Sequence, residues 1–280
     1  MATTVNLIGA GRVGQTLLRC LADSPEYVVQ HVASSRIESA SAAVETAGVG
    51  TPVPGPEATA KADIWLLTVP DTRIAEVAAG IAETLGGKTG DTPPVAIHCS
   101  GYHPADVMAP LRAHGWHLAS AHPMLSFADP ETAAANFPGI LCGVEGDPKA
   151  VQVAEHLLSA LGARPFRIKS EAKALYHAAA VFTNNFTTVL QSVALEGWEA
   201  AGVPDDIARE LQNTLLRSTV ENVERFGPQA ALTGPAARGD EDVVRDQGKQ
   251  VSDWHPEAGR LYREMSDLAA RLKKTGKTRT

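Results

Sequence analysis

Four short segments of the 280-residue chain hold the side chains best suited to bind an anion or move a proton. The run "GAGRVG" sets Gly9, Ala10, Gly11, Arg12, Val13 and Gly14 between an apolar run and a helix-forming stretch. In a strand–turn–helix the first glycine permits a tight turn and the second lets backbone approach a pyrophosphate. The third lets helix and strand pack closely, and the helix N-terminus then faces the phosphate charge. "ASAHPMLSF" puts His122 directly before Pro123 where an apolar run stops, and "IHCSG" puts Ser100 at the end of another. Imidazole exchanges a proton near neutral pH, so a histidine just past a strand suits acid–base work. The competing reading is a ring that only bonds nearby backbone at a proline-fixed bend. "KALYHAAAVFTNN" spaces Lys173, His177 and Asn184 at i, i+4 and i+11, along one face of a helix, with small alanines beside them. A solvated Lys173, a His177 that only packs and a packing role for Tyr176 are the bland alternatives.

These groups need a scaffold, and the hydrophobic pattern supplies one. Candidate strands at Val5–Ile8, Val28–Ala33, Ile64–Val69, Val95–His98, Leu118–Ala121, Ile140–Val144 and Pro165–Ile168 alternate with Ala-rich helical stretches. That alternation predicts an α/β fold, a Rossmann-type parallel sheet covered by helices. After Lys169 it ends. One unbroken helix is expected from Glu171 to Ala201, stopped by Gly202 and Pro204, and a second from Asp205 or Asp206 to Phe226, stopped by Gly227 and Pro228. A Gly/Pro-rich loop, "LTGPAARGD", and two further helices follow, the last with Pro256 in its first turn. The expected organisation is therefore a dinucleotide-binding domain over 1–168 and an all-α domain over 169–280.

The second strand ends in Ser34, Ser35 and Arg36, where an NAD-preferring site carries a carboxylate for the ribose 2'-hydroxyl. Hydroxyls beside a guanidinium suit a 2'-phosphate, so NADP(H) is the expected cofactor. Arg12 is either a second phosphate contact or a solvated helix residue. Val69, Pro70 and Asp71 close the strand that neighbours the glycine turn and are expected to face the nicotinamide side of the crevice. In the late loop, Thr233 and Arg238 are candidate substrate contacts. Arg238 either clamps a carboxylate or pairs with Asp240, itself a candidate helix cap.

Composition narrows the classes. Net charge is −7, which argues against non-specific nucleic-acid binding. No apolar run approaches the ~20 residues of a membrane span. The first residues lack the basic segment of a secretory signal, so a cytoplasmic protein is expected. Three cysteines without CxxC spacing suggest neither disulfides nor a metal site. Helices with apolar faces in the second domain suggest a homodimer.

The motifs "GAGRVG", "SSR", "VPD", "HCSG", "AHPMLSF", "KALYHAAA" and "LTGPAARGD" occur in an order that resembles a bacterial family pairing a Rossmann-like domain with a DUF2520 domain. Its wider relatives are F420-dependent NADP oxidoreductases, pyrroline-5-carboxylate reductases, ketopantoate reductases and prephenate dehydrogenases. The resemblance to these 6-phosphogluconate dehydrogenase C-terminal-like enzymes implies that His122, supported by Ser100, meets the substrate oxygen. It implies too that Lys173 and Asn184 hold substrate, although their spacing differs and His177 intervenes. Together these readings predict an NADP(H)-dependent oxidoreductase that reduces a small carboxylate-bearing carbonyl or imine compound in an interdomain cleft, a ketopantoate-like 2-oxo acid being favoured. A prephenate-dehydrogenase-like enzyme and a non-catalytic NADP-sensing protein are the alternatives.

Overall fold

The computed structural model describes residues 2–85 and 92–279 and divides into two compact units, Met1–Val181 and Phe182–Thr280. The 168/169 junction read from the sequence lies within the first unit, which also contains Lys173, Tyr176 and His177.

The first unit is built on eight strands: β1 (Thr3–Ile8), β2 (Tyr27–Ala33), β3 (Thr51–Val53), β4 (Ile64–Leu67), β5 (Val95–His98), β6 (His117–Pro123), β7 (Leu141–Gly146) and β8 (Arg164–Arg167). They form one sheet in the order β3-β2-β1-β4-β5-β6-β7-β8. The first six are parallel and follow the doubly wound order, in which the progression of strands along the sheet reverses between β1 and β4, the place where such sheets open a ligand crevice. Alternate residues serve opposite faces. Val5, Leu7, Leu66, Ile97, Ala119 and Ala121 join one buried cluster, while Ile8, Trp65, Leu67, Ala96 and Leu118 join the other. Helices α1 (Arg12–Ala22), α2 (Ile37–Ala47), α3 (Ile74–Leu85), α4 (Ala109–Arg112), α5 (Pro130–Ala135), α6 (Pro148–Ala160) and α7 (Lys173–Val181) complete the unit.

Two features depart from the sequence reading. Strand β3 was not anticipated, because "TPV" carries a proline; it sits at the sheet edge, where a missing N–H costs little. The sheet is not wholly parallel either, since β7 runs antiparallel to β6. The connection between them carries only the six-residue α5, about 9 Å long. The chain re-enters the sheet from the edge where β6 ends.

The second unit is helical. A π turn, Phe182–Phe186, leads into α8 (Thr187–Ala200), followed by α9 (Asp205–Ala231), α10 (Pro235–Arg238), α11 (Glu241–Trp254) and α12 (Pro256–Thr275). The single helix expected over 171–201 is thus interrupted by the π turn. The second long helix stops after Phe226 as expected, at the non-helical Gly227 (φ 74°, ψ 163°), and a separate short helical stretch from Pro228 completes the span to Ala231. Pro256 opens α12 as expected. Among the described residues no helix is long and apolar enough to cross a membrane.

The register of β6 on β7 ends at Gly146, whose φ of 135° suits glycine and whose added Cβ would collide with the Leu118 carbonyl oxygen. Gly146→Ala is expected to cost about 1–3 kcal/mol through backbone strain alone, with the thermal midpoint falling by roughly 2–10 °C. Calorimetry showing an unchanged midpoint would contradict this account of the register.

Candidate functional site

A cavity of about 1000 Å³ opens along the carboxyl ends of the parallel strands, spanning the β1/β4 switch point. At its centre is the glycine turn. Gly9 has φ 112°, and a Cβ there would stand 2.7 Å from the Thr68 backbone; the Thr68 hydroxyl in turn donates to the Gly9 carbonyl at 2.6 Å. A Cβ on Gly14 would collide with that same carbonyl, so helix α1 and the turn fit only without side chains. Gly11, by contrast, meets nothing within 4 Å of an added Cβ and faces open space. It is also the N-cap of α1 and contributes no capping side chain, so the first-turn N–H groups are left for an anion.

Ser34, Ser35 and Arg36 line one end of this cavity, just past β2, with Ala10, Arg12 and Val13 beside them. Among the described residues neither Arg12 nor Arg36 has an ion pair. Val69, Pro70 and Asp71, just past β4, line it as well, and so do Cys99, Ser100 and Phe127. The donor set fits a dinucleotide: an open backbone cradle for a pyrophosphate, and hydroxyls with a free guanidinium where a 2'-phosphate would stand. The half-buried Cys99 thiol, pushed up to about 12 by desolvation, is an inert wall.

Beyond Ser100 the face of β6 and β7 carries the titratable groups. Ser120 and His122 lie on one face of β6, opposite Glu145 and Gly143 of β7 in the antiparallel register. Helix α7 lays three side chains over them. Lys173 reaches Ser120 Oγ, Ser100 O (2.8 Å) and Glu145 Oε1 (3.5 Å). Tyr176 Oη meets His122 Nδ1 at 3.0 Å, and the His177 ring stands edge-on to His122 with centroids 5.5 Å apart. Glycines make the room: a Cβ on Gly101 would collide with His177 and stand 2.8 Å from His122 Nε2, while one on Gly143 would strike the Tyr176 hydroxyl.

Charge states follow from burial. His122 is pushed down to about 4 by desolvation, helped by His177 and Lys173 and opposed by Asp71, so its ring is neutral at pH 7. This revises the expectation of an imidazole titrating near neutrality: a half-buried ring beside a cation resists a second charge. The Tyr176 hydroxyl is raised to about 12 by burial and stays protonated. When that hydroxyl donates to Nδ1, the His122 proton sits on Nε2, the nitrogen turned toward Gly101. His98 serves the turn instead. Its Nδ1 accepts from the Ser100 N–H (3.1 Å) and its Nε2 meets Pro104 O (3.2 Å), with burial pushing its pKa to about 3.

The sequence candidates therefore separate. Ser100, His122, Lys173 and His177 come together, but only Ser100 lines the cavity. Its Oγ accepts from the Tyr102 and His103 N–H groups, which leaves its hydroxyl hydrogen uncommitted by these bonds. Lys173 is neither solvated nor presented to the cavity; it is 1% exposed. Asn184 falls in the π turn, exposed and in the second unit. Thr233 and Arg238 also belong to the second unit, where Arg238 pairs with Asp240 at 2.8 Å. Asp240 stands at the N-cap of α11 without capping it through its side chain. Sequence reasoning missed Glu145 and Ser120, and it read as packing Tyr176, whose hydroxyl meets His122. Glu145 could have been noticed as a lone carboxylate in the apolar run "ILCGVEG", which a buried strand tolerates only with a partner.

This geometry is that of a doubly wound dinucleotide-type domain with an imidazole–phenol pair past its carboxyl edge. Residues 2–123 match the Rossmann-like domain, and residues 140–269 match DUF2520, a domain of unknown function. The chain thus pairs a Rossmann-like domain with a DUF2520 domain. It is similar to the solved structure of protein TM1727 from Thermotoga maritima, at 25% identity and a TM-score of 0.76, over 97% of this chain and 99% of that one. It is similar also to BF3122 from Bacteroides fragilis, an NADP oxidoreductase by assignment, at 26% identity and a TM-score of 0.76, over 96% and 98% of the two chains. The fold is shared with an imine reductase from Myxococcus stipitatus solved with NADP+, at 16% identity and a TM-score of 0.67, over 98% and 96%. No curated protein matches the chain.

The two lowered histidines make stability depend on acid. In the unfolded chain both titrate near 6.5, whereas the folded protein keeps them neutral to about 4 (His122) and about 3 (His98). Below pH 6.5 the unfolded state therefore binds protons that the folded state refuses, and stability falls until the folded values are reached. Thermal midpoints measured from pH 7.5 to 4.5 are expected to decline, and to decline less steeply in His98→Gln. Parallel curves for the two proteins would refute the assignment.

Proposed function

We propose that the protein is an NADP(H)-dependent oxidoreductase that reduces the C=N or C=O bond of a small molecule. The observation that carries this reading is a single cavity joining the Ser34–Arg36 end, the open Gly11 cradle and Ser100, with the His122–Tyr176 pair behind Ser100. NADPH supplies the hydride when bound. Gly9, Gly11 and the start of α1 would hold its pyrophosphate, and Ser35 with Arg36 its 2'-phosphate.

What the remaining residues do follows from their charge states. The neutral His122 ring meets the reacting atom through Nε2, donating to a carbonyl oxygen when Tyr176 donates to Nδ1 and accepting from an iminium N–H when Nδ1 donates to Tyr176. Three features support a substrate that brings its own proton, such as a protonated imine. His122 carries no charge to repel it, Asp71 lines the cavity, and the Lys173 ammonium is already consumed by internal partners. A 2-oxo acid of the ketopantoate type would need a cation for its carboxylate and is the competing arm of the assay.

The exposed apolar row Ile207, Leu211 and Leu215 on α9 supports the further reading that two copies associate through the helical unit.

NADPH is expected to bind at least ~10-fold tighter than NADH, since one or two charge-assisted bonds contribute ~1.5–3 kcal/mol each. Arg36→Ala should erase most of that preference; equal affinities in fluorescence titration would sink the assignment. His122→Asn is expected to keep NADPH affinity and thermal midpoint while lowering turnover ~100-fold, measured by NADPH oxidation with cyclic imines and 2-oxo acids in parallel. A stable variant with undiminished rate on the accepted substrate would remove His122 from the reaction.

A further inference from the structure

We infer that the buried Lys173–Glu145 pair is a positioning device that clamps the Ser100 turn and α7 onto the β6–β7 face, and that Lys173 does not touch substrate. The inference rests on the reductase reading only for its catalytic consequence. An ammonium has three N–H bonds, and here three acceptors stand ready: Ser100 O at 2.8 Å, Ser120 Oγ, and Glu145 Oε1 at 3.5 Å. None is left to give. The Lys173 side chain is 1% exposed and absent from the cavity wall.

The partners are equally committed. The Ser100 carbonyl oxygen also accepts from the Ser120 hydroxyl at 3.2 Å, which occupies both of its lone pairs. Glu145 Oε1 also accepts from the Ala105 N–H at 2.8 Å, and Oε2 accepts from the Ser170 hydroxyl at 2.5 Å. One carboxylate thus ties the segment after the Ser100 turn, the lead-in to α7 and the lysine at its start. Charge balance requires the pair, since a lone ammonium or carboxylate at this depth would be unsatisfied.

The clamp sets geometry on both sides of the reacting region. On one side it fixes the carbonyl of Ser100, the residue whose hydroxyl borders the cavity. On the other it fixes the rotation of α7, so that Tyr176 and His177, three and four residues after Lys173, fall on His122.

The test uses two near-isosteric variants of the full chain, Lys173→Met and Glu145→Gln, together with the double variant that leaves no unpaired charge. Amide hydrogen exchange is read at Tyr102 and His103, whose N–H groups bond Ser100 Oγ, and at the β1 amides as an internal reference. The clamp predicts exchange at least ~10-fold faster at Tyr102 and His103 in the folded double variant, with β1 unchanged. It predicts also that NADPH affinity is kept, while kcat falls ~100-fold through misplacement and KM moves little. Unaltered exchange at those amides would overturn the inference, as would a double variant with full kcat. A Lys173→Met variant that loses kcat while Glu145→Gln keeps it would instead make Lys173 a group that meets substrate. Should wild-type protein reduce nothing tested, the exchange measurement still decides the clamp, and only the reductase reading fails.

Discussion

A buried ammonium is the constraint on which the arrangement of the first unit turns. Lys173 stands in an interior where an unpaired charge is not tolerated, so its surroundings must supply a carboxylate and two further acceptors in fixed positions. Those acceptors come from β5's following turn, from β6 and from β7, neighbours in the sheet though separated along the chain. Once they converge on one nitrogen, the segment that bears Ser100 and the helix that bears Tyr176 and His177 have little freedom left.

The same convergence shapes the electrostatics. Desolvation, seconded by neighbouring His177 and Lys173, keeps His122 neutral, and the Tyr176 hydroxyl is held protonated beside it. A neutral imidazole bonded to a neutral phenol is a hydrogen-bonding pair rather than a charged acid, which favours polarising or orienting a reacting atom over delivering a stored proton. At the other end of the cavity the demands are different. There the open turn at Gly11, the uncapped start of α1 and Arg36, which has no ion pair among the described residues, present N–H groups and a guanidinium suited to phosphates. The switch point between β1 and β4 is what allows two such unlike environments to share one cavity.

The sequence by itself determined the parts of the fold whose cause is local. The order strand, "GAGRVG", helix, strand is a short-range pattern: each glycine answers to a neighbour a few residues away or to the adjacent strand, so Gly9, Gly11 and Gly14 were legible. Seven of the eight strands were legible too, the central ones because burial on both faces writes near-continuous apolar runs. The missed one, Thr51–Val53, is short, sits at the edge and contains proline. Ser34–Arg36 were placed at the cavity by the same local logic.

Only the tertiary structure decided what depends on register and phase. That Glu145 faces Ser120 and Gly143 faces His122 follows from the antiparallel pairing of β6 with β7, which no period in the sequence encodes. Lys173 and His177 were picked out by helical spacing, yet whether the lysine points to water, to substrate or into a dry clamp depends on which strands lie beneath it. Asn184 falls in a π turn, a local departure from the α-helix that its residue types do not announce. Side-chain type fixes what a residue can do, whereas distance and dielectric fix what it does, and both of these are set by contacts between segments remote in the chain.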